Sequence, residues 1–214
     1  MTRCILKFII ILMLTNLSFT SYAKDKILLI GDSLSAGYGV EQAQAWVHLL
    51  QNKYIEDNTP ITIINTAISG QTTDNAILKI EAWLTTHKPS HVLIELGGND
   101  GIRGFPIKLL QKHLTQLVTI SQQHGAKVAL MEIQIPPNLG PRYRKMFTDT
   151  YTKVSKQTNA YLMPYFMTDI AIKPSLMLND NLHPNAKAQP IIRDFMHKEI
   201  DSWLQDRRLN KTRV

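Results

Sequence analysis

The chain has 214 residues, of which 44% are hydrophobic and 19% are charged, a composition that excludes an intrinsically disordered polypeptide. At this length a single core buries roughly 70% of the surface that the unfolded chain exposes, so the fold needs neither disulfides nor a structural metal. The sole cysteine, Cys4, agrees with this interpretation. Length and composition therefore favour one globular domain.

The net charge of +7 raises the question of a nucleic-acid partner. The basic residues are concentrated at the two ends of the chain, with Arg3 and Lys7 near the start and four more within the last ten residues. The body between these ends carries only about +2, so we predict no nucleic-acid partner. The basic tail, residues 206–214, is interpreted as a solvated end, and weak attraction to an anionic membrane surface is the alternative.

The first 23 residues have the pattern of a removable secretion signal. A basic start is followed by the apolar run Phe8 to Leu14, and Ser21-Tyr22-Ala23 supplies small residues suited to a cleavage site. This apolar stretch is shorter than the about 20 residues that span a bilayer. We therefore predict an exported protein without stable membrane insertion, and an uncleaved anchor is the alternative.

Short apolar runs alternate with longer amphipathic segments after residue 23, which is typical of parallel strands joined by crossover helices. The first four runs are continuously apolar and predict strands that are buried on both faces, while the fifth is shorter. The predicted strands are Lys26 to Ile30, Ile61 to Asn65, His91 to Leu96, Lys127 to Ile133 and Tyr161 to Met163.

Two segments have the apolar periodicity of helices that pack on a sheet. The first follows Pro106, and Gly125 stands where a left-handed residue is expected to end it. Its apolar face consists of Ile107, Leu110, Leu114, Leu117, Val118 and Ser121. The face of the second, near the C-terminus, consists of Ile192, Phe195, Met196, Ile200 and Trp203. We predict that both faces belong to the core.

Polar clusters follow the first three predicted strands, and a fourth lies near the C-terminus. Open parallel sheets place their ligand sites at the carboxyl ends of strands, so these clusters are expected to meet at one edge. The clusters are Gly31-Asp32-Ser33, Ser69-Gly70-Gln71, Gly97-Gly98-Asn99-Asp100 and Asp180-Asn181-Leu182-His183.

Together the clusters contain the groups that acyl transfer requires. A serine hydroxyl needs a general base to act as nucleophile, and we predict Ser33 in that role with His183 as its base and Asp180 orienting the imidazole. The backbone N–H groups of Ser33 and Gly70 and the side-chain amide of Asn99 are the predicted donors to the oxyanion. The structural alternatives are a helix N-cap for Ser33 and a turn for Asn99. Asp32 and Asp100 are expected to hold loops through local hydrogen bonds.

These blocks resemble those of the SGNH hydrolases of the GDSL lipase/esterase superfamily, and the resemblance extends over nearly all of the chain after residue 23. The blocks begin at Gly31-Asp32-Ser33-Leu34, reach Gly70, continue as Gly97-Gly98-Asn99-Asp100 and end at Asp180-Asn181-Leu182-His183. The resemblance implies a flavodoxin-like three-layer α/β/α sandwich, with a parallel five-stranded sheet in the order 2-1-3-4-5. It places this hydrolase domain at residues 24–205.

The resemblance also implies a periplasmic monomer that cleaves esters and thioesters, such as aryl esters, acyl-CoA and lysophospholipids, without a cofactor or metal. Its substrate loop corresponds to residues 134–143, where Ile135 and Leu139 are the candidates for lining an acyl groove. The alternative for both side chains is that they anchor the loop to the core. The acyl-chain length preference stays open.

Two other classes of protein compete with the hydrolase interpretation. A phosphate-binding flavodoxin-like module is disfavoured because both the G-x-G-x-x-G and the P-loop patterns are missing. An inactive acyl-chain or lipid-binding protein on the same fold would lose the triad, yet all three residues are present. The Gly-x-Ser-x-Gly elbow of α/β-hydrolases is also missing, which disfavours that fold for the same chemistry.

Overall fold

The computed structural model describes residues 25–206. The predicted signal, residues 1–23, and the predicted basic tail beyond Asp206 lie outside the described residues. Five parallel strands form one sheet in the order β2-β1-β3-β4-β5, which confirms the predicted order. The strands are β1 Asp25–Gly31, β2 Ile61–Asn65, β3 His91–Glu95, β4 Lys127–Met131 and β5 Tyr161–Met163. β3 and β4 end one and two residues earlier than predicted.

Helices cover both faces of the sheet and complete the predicted three layers. From β1 the chain first moves outward to β2 and then steps in the opposite direction through β3, β4 and β5, so right-handed crossovers put the first connecting helix on the other face from the next three. Accordingly α2 packs against α7, while α3, α5 and α6 pack side by side. The helices are α1 Ser33–Ala36, α2 Trp46–Glu56, α3 Thr73–His87, α4 Gly98–Ile102, α5 Ile107–Gln123, α6 Pro141–Thr158 and α7 Gln189–Leu204.

The core follows the predicted apolar patterns except at β2, where the prediction of burial on both faces is wrong. β2 is an edge strand, and of its five residues only Ile61 is buried. All five residues of β3 are buried, as expected for a central strand that is covered on both faces. Helix α5 buries the predicted stripe from Leu110 to Ser121, and Gly125 takes a left-handed φ of +81° just beyond its end. In α7 the predicted stripe is also buried, apart from the half-buried Phe195.

The order of the strands determines where a site can form. β2 and β3 lie on opposite sides of β1, so the connection that follows β1 and the connection that follows β3 run over opposite faces of the sheet. They diverge at the carboxyl ends of these strands and leave a crevice there. Ser33, Gly70 and Asn99 all follow the carboxyl ends of these three strands. Within residues 25–206, no helix has the length and apolar character required to cross a membrane.

Candidate active site

Ser33 stands at the junction between β1 and α1. The Asp32 carboxylate caps this short helix by accepting a hydrogen bond from the Leu34 N–H at 3.1 Å. Gly31 permits the tight approach of the strand end, because a Cβ there would lie 2.7 Å from Oε2 of Glu95. Asp32 and not Ser33 is therefore the N-cap, so the structural alternative for Ser33 is wrong; Ser33 is the first residue of the helix, and its hydroxyl meets His183.

His183 lies on a loop that folds back on itself beneath the crevice. An isolated antiparallel bridge joins Met177 to Pro184, and the Leu178 N–H donates to the His183 carbonyl at 2.8 Å. Asp180 holds the tip of the loop, where its Oδ1 accepts the N–H groups of Leu182 at 2.9 Å and His183 at 3.0 Å. The same carboxylate that faces the imidazole thus shapes the backbone that carries it.

The three predicted triad residues form a continuous chain of hydrogen bonds. His183 Nε2 lies 2.8 Å from Ser33 Oγ, and His183 Nδ1 lies 2.7 Å from Oδ2 of Asp180. Because an ionised carboxylate only accepts, Nδ1 carries the proton and Nε2 is left to accept from the serine hydroxyl. The Tyr38 ring lies beside the imidazole, with centroids 4.4 Å apart, so it restricts the rotation of His183.

The charge of Asp180 is set by its hydrogen bonds. Partial burial is the largest single influence and raises its pKa, but hydrogen bonds from the His183 side chain and from two backbone N–H groups, with the charge of His183, together lower the pKa to about 2. The carboxylate is therefore ionised at neutral pH.

Asn99 and Gly70 approach Ser33 from the two neighbouring strands. Asn99 Nδ2 donates to Oδ2 of Asp32 at 3.0 Å and to the Gln71 carbonyl at 3.1 Å, which fixes the plane of its amide. Gly70 has a left-handed φ of +78°. Within residues 25–206, neither the Ser33 N–H nor the Gly70 N–H donates a backbone hydrogen bond. Both N–H groups are thus available to a substrate oxygen.

A buried carboxyl pair lies directly beneath Ser33. Glu95 Oε2 accepts the Asp32 N–H at 3.2 Å and the Ser35 hydroxyl at 2.7 Å. Burial, followed by the nearby charge of Asp32, raises the pKa of Glu95 well above its ordinary value. Burial also raises the pKa of Asp32 to about 6, against the lowering effects of the Leu34 N–H, His183 and Asn99. Burial therefore favours the protonated form of Glu95.

Asp100 has the loop-holding position that was expected of it. Its carboxylate accepts hydrogen bonds from the backbone N–H and the hydroxyl of Thr73, at the start of α3. The Thr73 hydroxyl in turn lies 3.1 Å from His113 Nδ1. Asp100 consequently ties the loop after β2 to the loop after β3, behind the crevice.

The two candidates of the substrate loop differ in exposure. Ile135 is only 4% exposed and packs close to Gly101, where a Cβ would lie 2.6 Å from Ile135 Cγ2. Leu139 is half-buried, so of the two it is the more accessible to a substrate. The burial of Ile135 favours its alternative as an anchor of the loop, and a substrate contact for either residue stays a prediction.

Sequence reasoning missed three neighbours of the triad. Glu95 ends an apolar run, and neither Ser35 nor Tyr38, which both follow Ser33 closely in the chain, was assigned a role. Only the unusual charge at the end of a fully apolar strand offered a signal for Glu95. Among the described residues, no group of three or more His, Cys, Asp or Glu side chains is arranged to hold a metal ion.

Comparison with known proteins identifies the family. A model of the GDSL-like lipase/acylhydrolase family matches residues 29–190. The chain is 42% identical to an arylesterase of Vibrio mimicus over 184 residues, which cover 86% of this chain and 92% of the relative. It is 39% identical to thioesterase 1/protease 1/lysophospholipase L1 of Escherichia coli K12 over 189 residues, which cover 88% and 89%.

Solved structures agree with these relatives. The crystal structure of the psychrotrophic esterase EstA from Pseudoalteromonas sp., inhibited by monoethylphosphonate, superposes with a TM-score of 0.84 and 55% sequence identity. The match covers 85% of this chain and all of that one.

Proposed function

The chain belongs to the GDSL-like lipase/acylhydrolase family and is an ester-cleaving serine hydrolase, and from this membership we propose that Ser33 is its nucleophile. The observation that carries the assignment is the hydrogen-bonded chain from Ser33 Oγ through His183 to Asp180, with distances of 2.8 and 2.7 Å. A serine paired with a base that is itself oriented by a carboxylate is the arrangement that activates a hydroxyl.

Acylation transfers one proton and exchanges one bond. Ser33 Oγ attacks the carbonyl carbon of the substrate while His183 Nε2 takes the hydroxyl proton, and Asp180 stabilises the imidazolium that results. The tetrahedral oxyanion collapses, the bond to the alcohol or thiol breaks, and His183 returns the proton to that leaving group. Water then repeats the sequence on the acyl-serine and releases the carboxylic acid.

The oxyanion is proposed to lie between the N–H groups of Ser33 and Gly70 and the amide of Asn99. The first two N–H groups are available, while Asn99 must share a hydrogen that now reaches Asp32 or the Gln71 carbonyl. Such sharing is favoured as negative charge develops, because a charged acceptor binds more strongly than a neutral carbonyl.

The proposed substrates are carboxylic esters and thioesters, including aryl esters, acyl-CoA and lysophospholipids. This range is supported by the names of the relatives, since the same acyl-serine chemistry serves each of these leaving groups. We assign catalysis to residues 24–205, and we propose that residues 1–23 direct export to the periplasm, where the enzyme acts as a monomer.

Replacement of Ser33 tests the nucleophile. Ser33→Ala is expected to lower kcat for p-nitrophenyl butyrate by about 10⁴–10⁶ while the melting temperature is retained. An organophosphonate should label Ser33 in the wild type, identified by peptide mass spectrometry, and no residue of the variant. Labelling of a different serine would reassign the nucleophile, and binding of ester without turnover in the wild type would favour the acyl-carrier alternative.

A further inference from the structure

Arg103 lies beside the glycine of the proposed oxyanion hole and has no part in the mechanism given above. It directly follows α4, and its backbone N–H donates to the Asn99 carbonyl at 3.0 Å. Its side-chain Nη2 donates to the Gly70 carbonyl at 3.2 Å. Gly70, a residue of the proposed oxyanion hole, therefore holds this guanidinium through one hydrogen bond, although the side chain is exposed.

The charge of Arg103 is not neutralised by a neighbouring carboxylate. Among residues 25–206, Arg103 forms no ion pair, whereas Arg193 on α7 pairs with Asp194 at 2.8 Å. The nearby acids have other partners, because Asp32 accepts from Leu34 and Asn99 while Asp100 accepts from Thr73. A guanidinium carries five N–H donors, and only one of them is used here. Among the described residues the others have no hydrogen-bond acceptor, so they can receive an anion.

The geometry selects an anion close to the scissile ester. Arginine binds phosphate through paired, charge-assisted hydrogen bonds. In a lysophospholipid the glycerol carries its phosphate only a few bonds from the ester, whereas in acyl-CoA the long pantetheine arm separates the phosphates from the thioester. Ile68 precedes Gly70 by two residues and Ile102 directly precedes Arg103, and their exposed side chains, 42% and 43% accessible, offer apolar surface to the lipid.

We propose that Arg103 binds the phosphate of a lysophospholipid whose ester carbonyl lies at Ser33, and so selects that substrate class. This assignment rests on the hydrolase function proposed above. It makes Arg103 a specificity residue, because its charge recognises a part of the substrate that does not react. Neutral esters and acyl-CoA lack a phosphate at this distance and gain nothing from it.

Two esters that differ only in the phosphate test the proposal. For wild type and Arg103→Gln, kcat/KM is measured with 1-octanoylglycerol 3-phosphate, 1-octanoylglycerol and octanoyl-CoA below their micellar concentrations. The ratio of kcat/KM for the phosphorylated over the neutral glyceride should fall about 10- to 100-fold in the variant, through KM. Arg103→Lys should recover part of the loss, and the ratio for octanoyl-CoA over the neutral glyceride should not change.

Arg193→Gln is the matched control, and its ratios should equal those of the wild type. An equal loss on both glycerides would overturn the proposal, because Arg103 would then act only by supporting Gly70. A loss that octanoyl-CoA shares in full, but the neutral glyceride does not, would overturn the selection of lysophospholipids, because Arg103 would then recognise the phosphates of both substrates. Turnover of p-nitrophenyl butyrate without a phosphate preference overturns the role of Arg103 alone, whereas no turnover of any ester overturns the hydrolase function itself.

Discussion

Two carboxyl sites lie near Ser33, and their pKa values are shifted in opposite directions. Asp180, on the loop that carries His183, has a side chain that is 39% exposed, and its pKa is lowered to about 2. Asp32 and Glu95, beneath the end of β1, are 4% and 0% exposed. The pKa of Asp32 is raised to about 6 and that of Glu95 well above its ordinary value.

The difference shows that the balance between burial and hydrogen bonds decides which carboxyl group is ionised. Burial is the largest influence on the pKa of all three groups and raises it. At Asp180 two backbone N–H groups and an imidazole outweigh that influence, whereas the donors at the buried pair do not. Negative charge is thereby kept next to the base that must become positive. Burial favours the protonated form of Glu95, which then adds no further negative charge beside the Asp32 carboxylate.

The sharpest way to break this comparison is to remove the charge of Asp180. Asp180→Asn is expected to lower kcat for p-nitrophenyl butyrate by about 10³–10⁴, because a neutral amide neither stabilises the imidazolium nor enforces the tautomer of His183. KM should change little, since the carboxylate does not contact substrate. Steady-state kinetics at pH 8 with a melting curve measure both effects. A variant that retains a tenth of the wild-type kcat would show that the charge has no such role.

Asn99→Ala has the next largest expected effect. The substitution removes one oxyanion donor and should lower kcat by about 10²–10³ with a much smaller change in KM. It also deprives the Asp32 carboxylate of one donor, which should raise the pKa of Asp32 further above about 6. Kinetics on one aryl ester and a melting curve at several pH values measure both results. A correctly folded variant with near-wild-type kcat would leave Asn99 as a turn residue only.

The sequence predicted the part of the site that reacts more completely than the part that supports it. Ser33, Gly70, Asn99 and His183 stand in polar clusters beside apolar runs, so position and chemistry both marked them. Asp32 and Glu95 meet across 63 residues of sequence, and only the pairing of β1 with β3 brings them together. Burial depends on such packing, so the raised pKa values of Asp32 and Glu95 could not be predicted from the sequence.

The fold and the substrate loop show the same division. Apolar runs predicted each strand to within one or two residues at its ends. Burial on both faces leaves this local pattern in the central strands, whereas the edge strands β2 and β5 are only partly buried. The loop before α6 has no comparable periodicity. Its Ile135 is buried close to Gly101, more than thirty residues earlier in the chain, and this packing favours the role of an anchor.

Asp32→Asn sharpens the comparison at the buried pair and should lower kcat roughly 10- to 100-fold. An amide at this position can accept from Leu34 or from Asn99 with its oxygen, but its NH₂ group then opposes the other donor. The substitution should also change how the free energy of unfolding depends on pH. Because the pKa of Asp32 is raised from 3.8 to about 6, ionisation destabilises the fold, and the free energy of unfolding of the wild type falls as pH rises between those values.

The Asn variant lacks this titration, so its free energy of unfolding should fall less between pH 4 and pH 7 than that of the wild type. Urea unfolding at several pH values measures the difference. Identical pH dependence in both proteins would show that the carboxyl of Asp32 titrates with an ordinary pKa, and would remove it from the buried pair.

Glu95→Gln has the smallest expected effect on catalysis, and a small effect would support a neutral Glu95. If Glu95 is already neutral, the Gln oxygen accepts from the Asp32 N–H and the Ser35 hydroxyl as Oε2 does now, at 3.2 and 2.7 Å. Its NH₂ group takes the place of Oε1, which has no partner within the described residues. We expect kcat/KM for p-nitrophenyl butyrate to stay within about threefold of the wild type, since no transition-state interaction is lost.

The controls separate charge from packing at this position. Glu81→Gln, at a side chain 66% exposed on α3, should leave kcat/KM unchanged, and Glu95→Ala should destabilise the fold by about 2–4 kcal/mol, because it leaves a cavity and an orphaned Ser35 hydroxyl. A loss of activity in Glu95→Gln as large as that in Asp32→Asn would mean that an ionised Glu95 contributes to catalysis. The contrast between the ionised Asp180 and the neutral Glu95 would then be wrong, since both carboxyl groups would act as carboxylates in catalysis.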